Sequence, residues 1–296
     1  MDTLGDKEIF FNILRESYNC LVMEKNKKGA KPKRKQETMF LVLPEVCFPV
    51  YWINDLIRFA KYSKIGIITG LQYLKDNGKR QINYIATILP FESGKAGYGN
   101  AFLYIREKND YSPIEFEELA KCGFVCKNKE IPEYQVFKWK GIRLSPMVCY
   151  EMTDIMARAL LKGRCDFVTA PVFNPDTTYF SNIIDSTARD LHAFIVQANT
   201  SCYGDSRVTG PYDRDSKDIF KIKGGDNDHV VIGKINYRKF KNFQLNYYKN
   251  FKEKLSMIEK ERRKKKPEYP EKDISKPNIK PLSARFKNYD ELESND

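Results

Sequence analysis

Residues Ile142 to Thr169 read IRLSPMVCYEMTDIMARALLKGRCDFVT, and their pattern predicts a strand, a sharp turn, a helix and a second strand. The opening strand is short and apolar and ends near Val148. Apolar residues then recur at the spacing of a helix packed by one face: Met152, Ile155, Met156, Ala159 and Leu160. Cys149 therefore lies at the turn between the strand and the helix.

The position of Cys149 is compatible with two interpretations. A thiol near the amino end of a helix lies close to unpaired backbone N–H groups and to the positive end of the helix dipole, which favour a thiolate and can hold an oxyanion. That geometry suits a nucleophile. Most free cysteines, however, are small buried apolar residues, and the turn alone leaves both interpretations open.

The composition of the 296-residue chain is that of a folded globular protein, with 42% hydrophobic and 13% aromatic residues. That length can build one large core or two modest ones. Seven cysteines scattered along the chain do not resemble a disulfide framework and fit a reducing compartment. The sequence has no apolar run long enough to cross a membrane and no signal peptide, so we expect a cytoplasmic protein without a membrane partner.

The net charge of +12 is concentrated in two segments. Lys25 to Lys35 contributes +7 and Lys249 to Lys280 contributes +6, which leaves the rest of the chain near neutrality, at −1. Such basic runs are usually solvated surface, but they also suit contact with nucleic acid. Nucleic acid is therefore a possible partner of these segments and not of the body of the protein.

Apolar strands alternate with amphipathic helices, which predicts a layered α/β architecture. In addition to the helix after Cys149, helices are expected at residues 6–24, 50–63 and 179–192. Strands are expected at residues 39–43, 65–69, 83–89, 101–105, 165–170, 193–198 and 230–235.

The pattern changes near Asn250, where a highly charged helix begins and is followed by four prolines among charges between Pro267 and Pro281. We expect a globular domain at residues 1–248, with a basic loop at residues 25–37, and a charged helix with a Pro-rich tail at residues 249–296. The loop and the tail bury little apolar surface, so we expect both to be mobile or held by partners.

The histidine content narrows the chemistry, since only His192 and His229 are present. The chain has no G-x-S-x-G elbow and no Walker A loop, and His192 fits a structural role at a helix end. If Cys149 is a nucleophile, its base must therefore be a carboxylate. Glu45 ends a buried apolar strand, where a carboxylate is costly unless it is paired or used.

Three strand ends together carry a resemblance to a family. LVLPE ending at Glu45, the strand followed by Lys108, and VCYE around Cys149 resemble the Glu-Lys-Cys constellation of the nitrilase superfamily, the carbon–nitrogen hydrolases, in the same order along the chain. The likeness covers about residues 39–236. More narrowly, KNDYSPIE, CYEMTDIMAR and ARDLHAFIVQANTSCYGDSR are similar to the nitrilase-like domain attached to certain bacterial reverse transcriptases of antiviral defence. The chain has no YxDD polymerase motif.

This resemblance implies a four-layer αββα sandwich and a hydrolase of a non-peptide amide or nitrile bond that works through a cysteine thioester. Glu45 would be the general base, Lys108 would stabilise the oxyanion and Cys149 would be the nucleophile. Residues expected to bind the small-molecule substrate are Glu115, which resembles the second glutamate of many members, and Tyr150, Glu151 and Asn174. The alternative for Glu115 is a solvated carboxylate at a helix start.

The resemblance implies no metal and no cofactor. Nitrilase-like chains pair through outer helices, so we expect a homodimer or larger oligomer formed by the helix after Cys149 and the helix at residues 179–192. Two other functions stay open: an acyltransferase using the same thioester, and a nitrilase-fold module of a reverse-transcriptase-linked defence assembly that binds nucleic acid or a protein partner.

Overall fold

The computed structural model of the protein describes residues 4–26, 38–76, 78–93, 98–212, 216–225 and 229–264. Its first β-sheet follows the strand order β1-β2-β3-β4. The strands are β1 Phe40–Val42, β2 Gly66–Lys75, β3 Gln81–Ser93 and β4 Tyr98–Glu107. β1 pairs with β2 in parallel, while β2 with β3 and β3 with β4 pair antiparallel.

The second sheet contains the strand that precedes Cys149. Its order is β10-β9-β8-β7-β6-β5. The strands are β5 Phe137–Trp139, β6 Ile142–Pro146, β7 Phe167–Val172, β8 Phe194–Asn199, β9 Gly204–Thr209 and β10 Asp218–Lys223. The central pairs β6–β7 and β7–β8 are parallel, so the carboxyl ends of these three strands lie at one edge of the sheet.

Six α-helices lie within the described residues. They are α1 Leu4–Asn26, α2 Ile53–Ser63, α3 Pro113–Lys121, α4 Ile155–Leu161, α5 Thr177–Leu191 and α6 Tyr237–Lys264. α2 packs on β2, β3 and β4, and α5 packs on β8 and β9, while β1 and β2 contact β7 across the interface between the sheets. These contacts give the αββα layering expected from the sequence.

Apolar contacts hold the layers together. Leu14 of α1 and Leu56 of α2 belong to one buried cluster with Phe48 and Trp52, which joins the outer helices to the first sheet. Burial of a side chain such as Leu56 contributes about 1.5–3 kcal/mol. Between the sheets, Phe40 of β1 meets Phe167 of β7 edge to face with ring centroids 5.5 Å apart.

The prediction of a helix directly after Cys149 is wrong in two respects: the residue at which the helix begins and the face that it buries. Residues Cys149–Thr153 form a 3-10 turn, and α4 begins only at Ile155. Asp154 separates the two with an extended backbone and caps α4 by accepting the Met156 N–H at 2.7 Å. The break resets the helical phase, so Ile155 and Met156 are 71% and 70% exposed while Ala157 and Leu161 are buried.

Other sequence-based boundaries also change. Residues 230–235 form no strand. The segment is irregular, and a Cβ on its Gly233 would lie 2.9 Å from the ring of Phe220 on β10. The short strand β5 and the hairpin strands β9 and β10 are additions. They escaped the sequence pattern because their apolar runs are short and interrupted by charges.

The chain divides into two units, Met1–Gly233 and Lys234–Asp296. The described part of the second unit is dominated by α6, which begins at Tyr237, so the boundary proposed at residues 248/249 falls inside a helix. Residues 27–37 of the basic loop and the tail at residues 265–296 lie outside the described residues. Across the described part of the chain, no helix has the length and apolarity required to span a membrane.

Candidate active site

Glu45 lies just beyond β1, in the turn that leads toward α2, and its backbone also reaches a strand of the second sheet. The N–H of Gly70 donates to the Pro44 carbonyl at 3.0 Å, and the Glu45 N–H donates to the Val172 carbonyl of β7 at 3.4 Å. A Cβ on Gly70 would lie 2.5 Å from the Glu45 Cα. A glycine at this point of β2 is thus what lets the turn approach the sheet closely enough to bury Glu45.

Lys108 follows β4 and is 1% exposed, although it carries an ammonium group. Its Nζ donates to Oε1 of Glu45 at 2.7 Å and to Oε2 of Glu115 at 2.5 Å. It also lies 5.3 Å from the centre of the Tyr111 ring. Two carboxylates and an aromatic face therefore replace the water that a buried cation loses.

Cys149 begins the 3-10 turn after β6 and has a φ of 39°. That left-handed conformation is strained for a residue with a side chain and costs on the order of 1–3 kcal/mol. The thiol is buried and lies close enough to Glu45 and Lys108 for both charges to shift its pKa. The end of one sheet and the turn after β1 in the other thus supply a thiol and a carboxylate to the same place.

The electrostatics of this group follow from its burial. Burial and the adjacent Glu45 raise the pKa of the Cys149 thiol well above its ordinary value, and Lys108 opposes them in part. Burial also raises the pKa of Glu45, with Lys108 opposing and Glu115 adding to the rise. The two carboxylates raise the pKa of Lys108 well above its ordinary value despite its burial. These shifts favour a protonated thiol on Cys149 and a charged ammonium group on Lys108.

Glu115 lies at the start of a helix, as expected, and its carboxylate is paired with Lys108. It is the third residue of α3, and with Ser112 it forms a reciprocal capping box. Its carboxylate also contacts Lys108 and accepts the Tyr73 hydroxyl at 2.5 Å on Oε1. The Lys108 ammonium therefore contacts a carboxylate from the start of α3 as well as the carboxylate of Glu45.

Glu151 does not occupy the position expected of a substrate-binding residue. It is fully buried, and its two oxygens accept both Nη groups of Arg106 at 2.7 and 2.8 Å. The same oxygens accept the N–H of Asn109 at 2.6 Å and of Val148 at 2.8 Å. Glu151 therefore ties the residue after Lys108 to the residue before Cys149, and its lone pairs are occupied by protein donors.

Tyr150 and Asn174, also expected to bind substrate, are both half-buried. Tyr150 directly follows Cys149 in the 3-10 turn, where its carbonyl accepts the Thr153 hydroxyl at 2.8 Å. Asn174 follows Phe173, and its side-chain oxygen accepts the Asp176 N–H at 2.8 Å. That contact leaves the Asn174 carboxamide engaged in the turn that starts α5.

Asn83 is a site residue that the sequence patterns did not single out. It lies at the start of β3, is fully buried, and donates from Nδ2 to Oε1 of Glu45 at 2.8 Å. Its carbonyl accepts the Lys108 N–H at 2.8 Å. The available signal was an asparagine near the start of a strand whose buried positions are mostly apolar.

No protein-family model and no curated protein matches the chain. Solved structures do match it. A Cys-to-Ser mutant of the Nesterenkonia AN1 amidase from the nitrilase superfamily is similar with a TM-score of 0.54 and 16% identity, covering 83% of this chain and 92% of that one. XC1258 from Xanthomonas campestris, a CN-hydrolase superfamily protein with an arsenic adduct in its active site, gives a TM-score of 0.51 and 14% identity over 79% and 88%.

A third similar structure is a Glu-to-Gln mutant of the Nesterenkonia amidase with acrylamide added to its active-site cysteine. Its TM-score is 0.51 at 16% identity, covering 83% of this chain and 94% of that one. At such identities the likeness establishes the fold and not the activity. The expected four-layer sandwich of the nitrilase type is thereby confirmed.

Proposed function

We propose that the protein is a carbon–nitrogen hydrolase that uses Cys149 as nucleophile, Glu45 as general base and Lys108 as oxyanion stabiliser. The observation that carries this proposal is the buried Glu45 carboxylate, which contacts the Lys108 ammonium at 2.7 Å and lies close enough to Cys149 to raise the pKa of its thiol. A buried thiol beside a base that itself holds a cation is the arrangement that acyl transfer through a cysteine requires. The active-site cysteines of the similar structures support it.

In the first half of the reaction, Sγ of Cys149 attacks the carbonyl carbon of an amide while its proton passes to Glu45. Because burial keeps the free thiol protonated, this transfer accompanies the attack. The negative oxygen that forms is stabilised by Lys108. The C–N bond then breaks, the nitrogen takes the proton from Glu45, and an amine leaves behind a thioester on Cys149.

In the second half, a water molecule attacks the thioester carbon and gives one proton to Glu45. Collapse of the tetrahedral intermediate breaks the C–S bond, and the proton on Glu45 returns to the Cys149 sulfur. The products are a carboxylic acid and the original enzyme. With an amine or alcohol acceptor in place of water, the same thioester would give an acyltransferase.

The decisive experiment is incubation with a panel of small amides and nitriles, followed by intact-protein mass spectrometry. We expect product release and, at short times, a mass increase on Cys149 equal to the acyl group. Glu45→Gln should slow both steps, since it removes the base at constant shape. Added hydroxylamine or alkylamine distinguishes hydrolase from acyltransferase by the product formed. A panel that yields neither product nor adduct would contradict the proposal.

A second candidate function is binding within a defence assembly, as implied by the resemblance to nitrilase-like domains of reverse transcriptases. The α6 surface favours it, because exposed aromatic side chains follow one another there beside lysines. Phe243 and Tyr247 pack edge to face, and Tyr247 stacks on Phe251, with ring centroids 5.6 and 6.1 Å apart. Aromatic and cationic side chains together suit single-stranded nucleic acid. Salt-dependent binding that persists in Cys149→Ala would support this function.

A further inference from the structure

Asn83 makes contacts that go beyond filling space at the start of β3. Its Nδ2 donates to Oε1 of Glu45 at 2.8 Å and to Oε1 of Glu115 at 3.4 Å. The same two carboxylates hold Lys108. Asn83 thus forms a second bridge, neutral in charge, between the two acids that flank the lysine.

The orientation of the Asn83 carboxamide follows from chemistry. An ionised carboxylate only accepts hydrogen bonds, so the NH2 end must face Glu45 and Glu115. The Asn83 Oδ1 is buried and has no hydrogen-bond partner among the described residues. The two carboxylates are therefore the groups that orient this side chain, and it in turn acts on them.

The backbone of Asn83 is fixed independently of its side chain. Its N–H donates to the Tyr111 hydroxyl oxygen at 2.9 Å, and its carbonyl accepts the Lys108 N–H at 2.8 Å. A change of side chain leaves these two backbone hydrogen bonds available. The effect of the carboxamide can therefore be separated from the course of β3.

These contacts make the two oxygens of Glu45 unequal. Oε1 receives both Lys108 and Asn83, whereas Oε2 receives the Phe173 N–H at 3.2 Å. A carboxylate oxygen has two lone-pair sites, so Oε1 is filled by its two donors while Oε2 keeps one site for the Cys149 proton. We propose that Asn83 is a positioning residue that fixes the rotamer of Glu45, so that Oε2 receives the Cys149 proton. This inference rests on the function proposed above.

Asn83 also acts on the charge of the site. The groups facing Glu45 are Lys108, Glu115, Cys149, the Phe173 N–H and Asn83, so two acids share one ammonium ion. Loss of the Nδ2 donor removes a stabilising contact from the ionised form of Glu45, and its already raised pKa rises further. The base then becomes ionised only at a higher pH.

The test uses the reaction of Cys149 with iodoacetamide, in which the sulfur displaces iodide and the thiol proton passes to the base. The rate is followed from pH 5 to 9 by peptide mass spectrometry, with exposed Cys122 and Cys202 as references within each molecule. We expect Asn83→Leu, similar in shape but without the donor, to lower the Cys149 rate at pH 7 at least tenfold. Its pH midpoint should move upward by about one unit or more.

Thr87→Val is the matched control, since Thr87 is equally buried on β3 and lies away from the site. It should keep the wild-type midpoint. A slower Cys149 reaction with an unmoved midpoint in Asn83→Leu would reduce Asn83 to a structural role and overturn the proposal. Should Asn83→Leu not fold, Asn83→Ser, which is too short to reach both carboxylates, carries the same comparison.

Failure of the proposed function gives a different result. If Glu45→Gln leaves the rate and pH profile of Cys149 unchanged, then Glu45 is not its base and the hydrolase mechanism fails. If Glu45→Gln abolishes the pH dependence while Asn83→Leu has no effect, the mechanism stands and only the role of Asn83 is wrong.

Discussion

Arg106 and Glu151 form a buried ion pair in which both Nη groups contact the carboxylate, at 2.7 and 2.8 Å. The carboxylate also accepts the N–H groups of Val148 and Asn109. Since Val148 precedes Cys149 and Asn109 follows Lys108, this pair joins the loops that carry the candidate nucleophile and the candidate oxyanion group. The junction links the end of β4 in one sheet to the end of β6 in the other.

We expect Glu151→Ala to destabilise the fold by about 3–5 kcal/mol, because it leaves the Arg106 charge and two N–H groups buried without their acceptor. Urea denaturation followed by circular dichroism measures the loss. Glu130→Ala is the control, since the Lys127–Glu130 pair is solvent-exposed, and it should unfold at the wild-type urea concentration. Equal stability of the two variants would show that the Arg106–Glu151 pair does not stabilise the fold.

Cys149→Ala should abolish hydrolysis and leave the fold intact. The change removes the attacking sulfur, while the packing loss from one buried thiol is about 1 kcal/mol. The backbone strain at φ 39° stays in the variant, since alanine also carries a Cβ, so the change gains no stability there. Activity assays with parallel thermal unfolding check both parts. Full activity in this variant would end the assignment of Cys149 as nucleophile.

The activity should fall as the pH is lowered through the pKa of Glu45, because a protonated base cannot accept the thiol proton. Burial and Glu115 raise that pKa, so the acid limb should lie above the ordinary glutamate value of 4.5. Glu115→Gln removes one cause of the rise and should move the limb to lower pH. A pH–rate profile of kcat/KM gives the midpoint. A limb that moves upward in Glu115→Gln would contradict this electrostatic account.

Gly70→Ala should disturb the site from a distance. Its Cβ would lie 2.5 Å from the Glu45 Cα and from the Val46 nitrogen, both backbone atoms that cannot step aside. We expect destabilisation of about 1–3 kcal/mol together with slower alkylation of Cys149. Gly99→Ala is the control in the same sheet, since the nearest atom to its Cβ is the flexible end of Lys64. Similar results for both variants would rule out the close approach at Glu45.

The predicted homodimer now rests on a smaller patch. Met152, Phe180 and Ile184 are buried, so they cover the second sheet and take no part in a surface. Ile155, Met156 and Leu160 on α4 and Tyr179 near the start of α5 are exposed apolar side chains that a partner could cover. Light scattering at micromolar concentration should show a mass above the 34.6 kDa monomer. Ile155→Glu with Leu160→Glu should return the monomer, whereas a monomeric wild type would exclude the dimer.

Much of the architecture was predictable from local sequence. The run MFLVL, the alternation of apolar strands with amphipathic helices, and the positions of Glu45, Lys108 and Cys149 after strands depend on neighbours in the chain. These patterns could indicate the candidate triad because each of its members directly follows an apolar strand that is recognisable in the sequence.

The tertiary structure alone decided what the polar residues around the candidate triad contact. Asn83 and Glu151 act through partners 38 and 45 positions away in sequence, Glu45 and Arg106, and no local spacing encodes such contacts. The exposed face of α4 was likewise hidden, because Asp154 interrupts the helix and shifts its phase. Sequence periodicity reports burial along one continuous element, whereas a buried polar group is specified by donors and acceptors that only folding brings within hydrogen-bond distance.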